Sequence, residues 1–136
     1  MSFEHAHTVT TAATPEAIWT LWSDPDTWSS WDPAVVAVDL HGGFEEGTTG
    51  TLTLAGPIEV PVLLAIVEPG RRYLDQLTLG DLVIRVDHVV EPLADGGSEV
   101  VVSTTIDGPG ADDVGPVVTA EAPLALAALT AAAQEL

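Results

Sequence analysis

The chain has 136 residues, 46% of them hydrophobic, and sets 21 acids against three arginines for a formal net charge of −18. That length suits one domain with a real core, and that charge repels phosphate backbones and anionic lipid, which argues against nucleic-acid binding and membrane insertion. Cys, Lys and Asn are absent, which excludes disulfides, thiolate zinc sites, cysteine nucleophiles, Schiff-base and P-loop lysines, and N-glycan acceptors.

The first ten residues, MSFEHAHTVT, lack the basic and apolar regions of a secretory signal. No apolar run reads as approaching the roughly 20 residues that span a bilayer. The expectation is a cytoplasmic protein whose acidic shell keeps a hydrophobic chain in solution. Attraction of a cationic ligand or a basic partner is the other use for such a surface.

From Phe3 to Thr11 the period-two pattern of His5, His7, Val9 and Thr11 predicts a first strand. Thr14-Pro15-Glu16-Ala17 reads as a helix start, with Thr14 as cap and Pro15 in the first turn. Ile18, Trp19, Leu21 and Trp22 follow at the spacing of a buried helical face. Ser23-Asp24-Pro25 ends that helix, and a second short one, capped by Asp24, is expected from Asp26 to about Trp28.

Strands are expected at Val35–Leu40, Thr48–Leu54, Ile58–Glu68, Arg72–Thr78, Asp81–Leu93 and Gly97–Asp107, separated by Gly- and Pro-containing turns. Pro61 predicts an edge position or a bulge in the fourth strand. From Ala111 to Leu136 the composition turns to Ala and Leu at helical spacing, a last helix that Pro116 and Pro123 should kink or divide. Six consecutive strands make an antiparallel meander, which curls into a half-barrel and needs a cover. The terminal helix is the available cover, and a narrow Ala-rich helix over such a concavity can leave a pocket.

Ala13-Thr14-Pro15-Glu16-Ala17-Ile18-Trp19, Trp22-Ser23-Asp24-Pro25, Trp28-Ser29-Ser30-Trp31-Asp32-Pro33, Gly47-Thr48-Thr49-Gly50, Glu68-Pro69-Gly70-Arg71 and Ile106-Asp107-Gly108-Pro109 stand in a distinctive order. In that order they resemble the START-like, or Bet v 1-like (SRPBCC), superfamily, in its polyketide cyclase/dehydrase-like branch. The resemblance implies one helix-grip domain over residues 1–136: an α+β fold of about seven strands in β-α-α-β6-α order, curved around a long C-terminal helix. It spans lipid carriers, hormone receptors, cyclases and aromatase subunits, so it implies a pocket without naming an activity.

Alternation in Ile84-Arg85-Val86-Asp87-His88-Val89-Val90 puts Ile84, Val86, His88 and Val90 on the more apolar, inward face. There His88 is either a core histidine bonded to backbone or a general base that orients a ligand. Arg85 and Asp87 fall on the outer face, where pairing with a neighbouring strand, for example with Glu99, is expected. A bulge reversing that parity would instead turn Arg85 into the pocket. The resemblance places Trp28 and Trp31 near the cavity mouth, where indoles stack on rings or simply pack, while Trp19 and Trp22 read as structural. Leu64 and Val86 are assigned to the apolar wall, and Tyr73 either donates to a ligand carbonyl or sits at the sheet edge. His5 and His7 share a face but lack a third ligand, so no metal is assigned. No cofactor is expected. Ser103 lacks the glycines of a nucleophile elbow, so a Ser-His-Asp hydrolase is not supported.

Three functions remain in play. The first is a carrier or sensor of an apolar, ring-containing small molecule. The second is a cyclase or dehydratase that folds a poly-β-ketone while His88 moves a proton. The third is a partner-binding protein with a filled pocket. The sequence leaves monomer and homodimer open.

Overall fold

A computed structural model describes residues 2–136. Strand β1 (Ser2–Thr11) leads through Thr14 into helix α1 (Pro15–Trp22), a 3-10 turn (Pro25–Thr27) and the one-turn helix α2 (Trp28–Trp31). The meander follows as β2 (Val35–Leu40), β3 (Thr49–Leu54), β4 (Ile58–Glu68), β5 (Arg72–Leu79), β6 (Leu82–Pro92) and β7 (Ser98–Asp107). Helices α3 (Ala111–Thr119) and α4 (Ala122–Gln134) end the chain. The seven strands form one antiparallel sheet in the order β1-β7-β6-β5-β4-β3-β2, so the first strand closes on the last. This is the helix-grip arrangement.

Local chemistry explains the entry to the sheet. Thr14 Oγ1 accepts from the Ala17 N–H at 3.2 Å, satisfying one of the donors that a helix start leaves free. Asp24 behaves otherwise than expected: its side chain makes no capping bond, and its backbone carbonyl takes the Thr27 N–H at 3.0 Å. Thr27 Oγ1 donates back to Leu21 O at 3.0 Å, winding a 3-10 turn where a helix from Asp26 was predicted. The second helix therefore begins later, at Trp28.

Pro61 sits well inside β4, paired with Thr51 of β3. The ladder to β5 begins only at Val62–Leu77, so on that side Pro61 faces no partner strand and its missing N–H removes no rung there. On the outer face, Arg72 grips Asp87 with two bonds of 2.8 and 3.0 Å, and Arg85 reaches Gln76 at 3.2 Å and Asp107 at 3.1 Å. These cross-strand clamps replace the pairing with Glu99, which stands opposite Glu91 in the register.

The terminal helix is divided. It breaks at Ala120–Glu121, which places Pro123 in the first turn of α4, where a proline costs no intrahelical bond. Taken as one stretch, Ala111–Gln134 spans 24 residues with a window of mean hydropathy 1.5, long and apolar enough by length and composition to cross a membrane. That corrects the sequence reading that no such run exists. In the fold the two pieces lie on protein instead. Helix α3 packs on β1 and β7, and α4 packs on α1, α2 and β1, burying Leu126, Leu129 and Ala133. Gly115 lets α3 approach closely, since a Cβ there would collide with the ring of Phe3.

Candidate ligand cavity

The pleat sets the floor of the site. Register aligns Tyr73, His88 and Val102 as one row across β5, β6 and β7, and Asp75, Val86 and Thr104 as the next. All six residues line a cavity of about 460 Å³ between the sheet and the helices. The segment from α2 into β2, helices α3 and α4, and further sheet residues such as Leu52, Leu77 and Ile84 supply most of the rest, largely Val, Leu and Ala. The exposed members Pro33, Ala55, Ile58, Val117 and Glu121 mark the mouth.

One wall is aromatic. Tyr73 and His88 stack nearly parallel, with ring centres 3.9 Å apart and planes 6° off. Trp28 stacks on Tyr73 from 5.8 Å, and Trp22 meets Tyr73 and His88 edge-on at 5.5 and 5.6 Å. Trp28 Nε1 donates to Trp22 O at 3.0 Å and Trp31 Nε1 to Thr27 Oγ1 at 3.3 Å, which lock both indoles in place. Such edge-to-face arrays add roughly 0.5–1.5 kcal/mol per pair beyond area burial.

Among the residues singled out from sequence, Trp28, Trp31, Tyr73, Val86 and His88 all reach the cavity. Tyr73 lies in the interior of the sheet, not at its edge, and is only 1% exposed. Leu64 is corrected: it neighbours Asp75 across the β4–β5 ladder, yet it is fully buried and forms no part of the wall. Its N–H donates to Thr48 O and its carbonyl accepts from Gly47 N–H, so it lies where the 41–48 loop closes on β4. Arg85 stays outside, because no bulge interrupts β6 near it. Trp19 packs on Trp22, Phe44 and Tyr73 behind the wall.

Three of the wall residues that the sequence reading missed bear on the chemistry of the cavity. Trp22, read as structural, is fully buried, and its indole Nε1 finds no hydrogen-bond partner. Asp75 is 6% exposed, and its Oδ1 is likewise unpartnered. Asp32 lines the cavity with Oδ1 accepting from the Ala34 N–H at 3.0 Å. The period-two run Tyr73-Leu74-Asp75-Gln76-Leu77 was the available signal for Asp75, since it puts that carboxylate on the face of Tyr73 and Leu77.

Burial, reinforced by the neighbouring Asp32 carboxylate, pushes the Asp75 carboxyl up to about 7. Burial also raises Asp32, against the Ala34 N–H bond, with Glu121 adding to the rise. The Tyr73 phenol is held well above its ordinary value by burial and then by Asp75 and Asp32. His88 goes the other way: burial lowers it to about 4, against a bond to the Tyr73 carbonyl. Because a carbonyl only accepts, the 3.2 Å contact of His88 Nδ1 with Tyr73 O places the proton on Nδ1 and leaves Nε2 as acceptor. The imidazole is therefore neutral at physiological pH.

A seven-stranded sheet folded over a divided terminal helix, with an aromatic and acidic hollow between them, defines the Bet v 1-like helix-grip class. The Ara h 8.0201 crystal structure superposes with a TM-score of 0.78 at 19% identity, covering all of both chains. A point mutant of Thalictrum flavum norcoclaurine synthase, in complex with a transition-state analogue, gives 0.77 at 20% identity over 99% of this chain and 96% of that one. The same plant's enzyme with dopamine and hydroxybenzaldehyde gives 0.73 at 19% identity over 99% and 86%. At those identities the likeness shows the fold alone. No curated protein matches the sequence. The model of the family described as polyketide cyclase / dehydrase and lipid transport matches residues 2–135, and the chain belongs to that family.

Proposed function

We propose that this protein holds an apolar, ring-containing small molecule between its sheet and its terminal helices, as a carrier or sensor. The cavity of about 460 Å³ carries this reading: it falls within the roughly 300–1,000 Å³ of ordinary ligand sites, is mostly apolar, and has one aromatic wall. Affinity would come from apolar area removed from water, about 25 cal/mol per Å², with orientation set by the few polar wall groups. The partner-binding alternative requires a plugged gap, which this volume does not favour.

The test is native mass spectrometry of freshly purified protein, together with titration by Nile red, a neutral apolar dye. Retention of a small molecule, or saturable dye binding with a blue shift that a cavity-filling substitution removes, is the expected result. Dye binding indifferent to cavity filling would put the site elsewhere on the surface.

A second reading, a cyclase or dehydratase, is favoured by one observation. Asp75, buried on the cavity floor, changes protonation near neutrality, where a proton shuttle is most useful. In that reading Asp75 moves the proton and His88, a weak base at about 4, orients the substrate carbonyl or hydroxyl. With a poly-β-ketone mimic, Asp75→Asn should remove turnover and His88→Ala should reduce it. Turnover untouched by Asp75→Asn would end the catalytic reading.

A further inference from the structure

We propose that the cavity is selective for ligands bearing a protonated amine, which the Asp75 carboxylate receives; this rests on the cavity reading above.

The argument is an inventory of charge. Three carboxylates border the space: Asp75 on the floor, Asp32 on the wall and Glu121 at the mouth. Among the described residues, no cation answers them. The chain has no Lys, and its three arginines are engaged outside the cavity: Arg71 with Glu68, Arg72 with Asp87 and Arg85 with Asp107. The neutral tautomer of His88 adds no positive charge. A buried acceptor without a partner costs free energy until something fills it, and a buried charge costs more. The fold sets the Asp75 carboxyl group, with no cation beside it, in the lining of an apolar space large enough for a guest.

The chemistry of the occupant follows. No group of three or more His, Asp or Glu among the described residues is arranged to hold a metal ion, so a bare divalent cation has no ligand set. An organic ammonium needs no such set. It donates to a single carboxylate in a charge-assisted bond and is attracted by aromatic faces such as those of Trp28 and Tyr73. An anionic ligand meets three acidic groups and no counter-ion, and is disfavoured.

The test uses three ligands of one shape: 2-(2-naphthyl)ethylamine, 2-(2-naphthyl)ethanol and 2-naphthylacetic acid, titrated calorimetrically at pH 7.5 into the full chain. The amine should bind at least about tenfold tighter than the alcohol, with the acid weakest. Asp75→Asn should bring the amine to within about twofold of the alcohol, and Asp32→Asn should narrow the preference in part. Alcohol binding as tight as amine binding in the parent chain overturns the amine selectivity and leaves the cavity reading standing. An amine preference that survives both substitutions overturns the role of the carboxylates. Failure of all three ligands together with Nile red overturns both readings.

Discussion

Asp75 offers the most direct quantitative check, because a buried carboxyl couples stability to pH. Its proton is bound more tightly in the folded state, with a value of about 7 against 3.8 unfolded. A raised acid destabilises the fold once it must ionise, so its contribution is benign below 3.8 and worsens as pH rises towards 7, then levels off. At 1.36 kcal/mol per unit, the penalty works out at about 2 kcal/mol at pH 5 and about 4 kcal/mol at pH 8. Asparagine keeps the shape and cannot ionise. Whatever fixed offset the amide introduces cancels when the two pH values are compared. Urea unfolding of the parent and Asp75→Asn proteins at pH 5, 6, 7 and 8 should therefore show the variant gaining about 2–3 kcal/mol relative to the parent across that range. A difference that stays constant with pH would mean that Asp75 is solvated or paired in the native state, and the account of the cavity floor would fail.

Three other expectations follow from the same geometry. His88 should remain neutral down to about pH 4. Its imidazole resonances should thus be flat from pH 8 to 5, and its cost to stability, about 3 kcal/mol in full, should appear only as pH falls from 6.5 through 4. A ring that titrates near 6.5 by NMR refutes its burial. Gly115→Ala forces a methyl into the Phe3 ring and should cost about 1–3 kcal/mol in thermal or urea unfolding, whereas a neutral result would mean that α3 does not pack there. Ala125→Trp, on the helical wall, should remove Nile red binding while the chain stays folded by circular dichroism; retained binding would move the site.

The fold was legible because the sheet and helix periods are strong here and because proline and glycine mark the turns. Ile84, Val86 and His88 alternate with charged residues, so the inward face of β6 could be read directly. The same alternation ran through Tyr73, Asp75 and Leu77, yet a carboxylate in a predicted strand reads as surface unless its neighbours are weighed with it. Trp22 was hidden differently. A tryptophan on a buried helical face serves core and cavity alike, and only three-dimensional packing decides which side its indole meets. Leu64 shows the converse: its pattern was inward, but a backbone closure with Gly47 and Thr48 lay outside any local signal. The division of the last helix was expected from Pro116 and Pro123; the break falls just before Pro123, whereas Pro116 stays inside α3.

Trp22, Trp28 and Trp31 are three of the four tryptophans in the chain, and all three stand on the cavity wall. The molecule thus carries its own optical probe. A guest that quenches an indole or excludes water from it alters the emission of most of the protein's fluorophores, and the signal needs no label. Occupancy can then be followed in dilute solution and at stopped-flow speed by the light the protein itself emits.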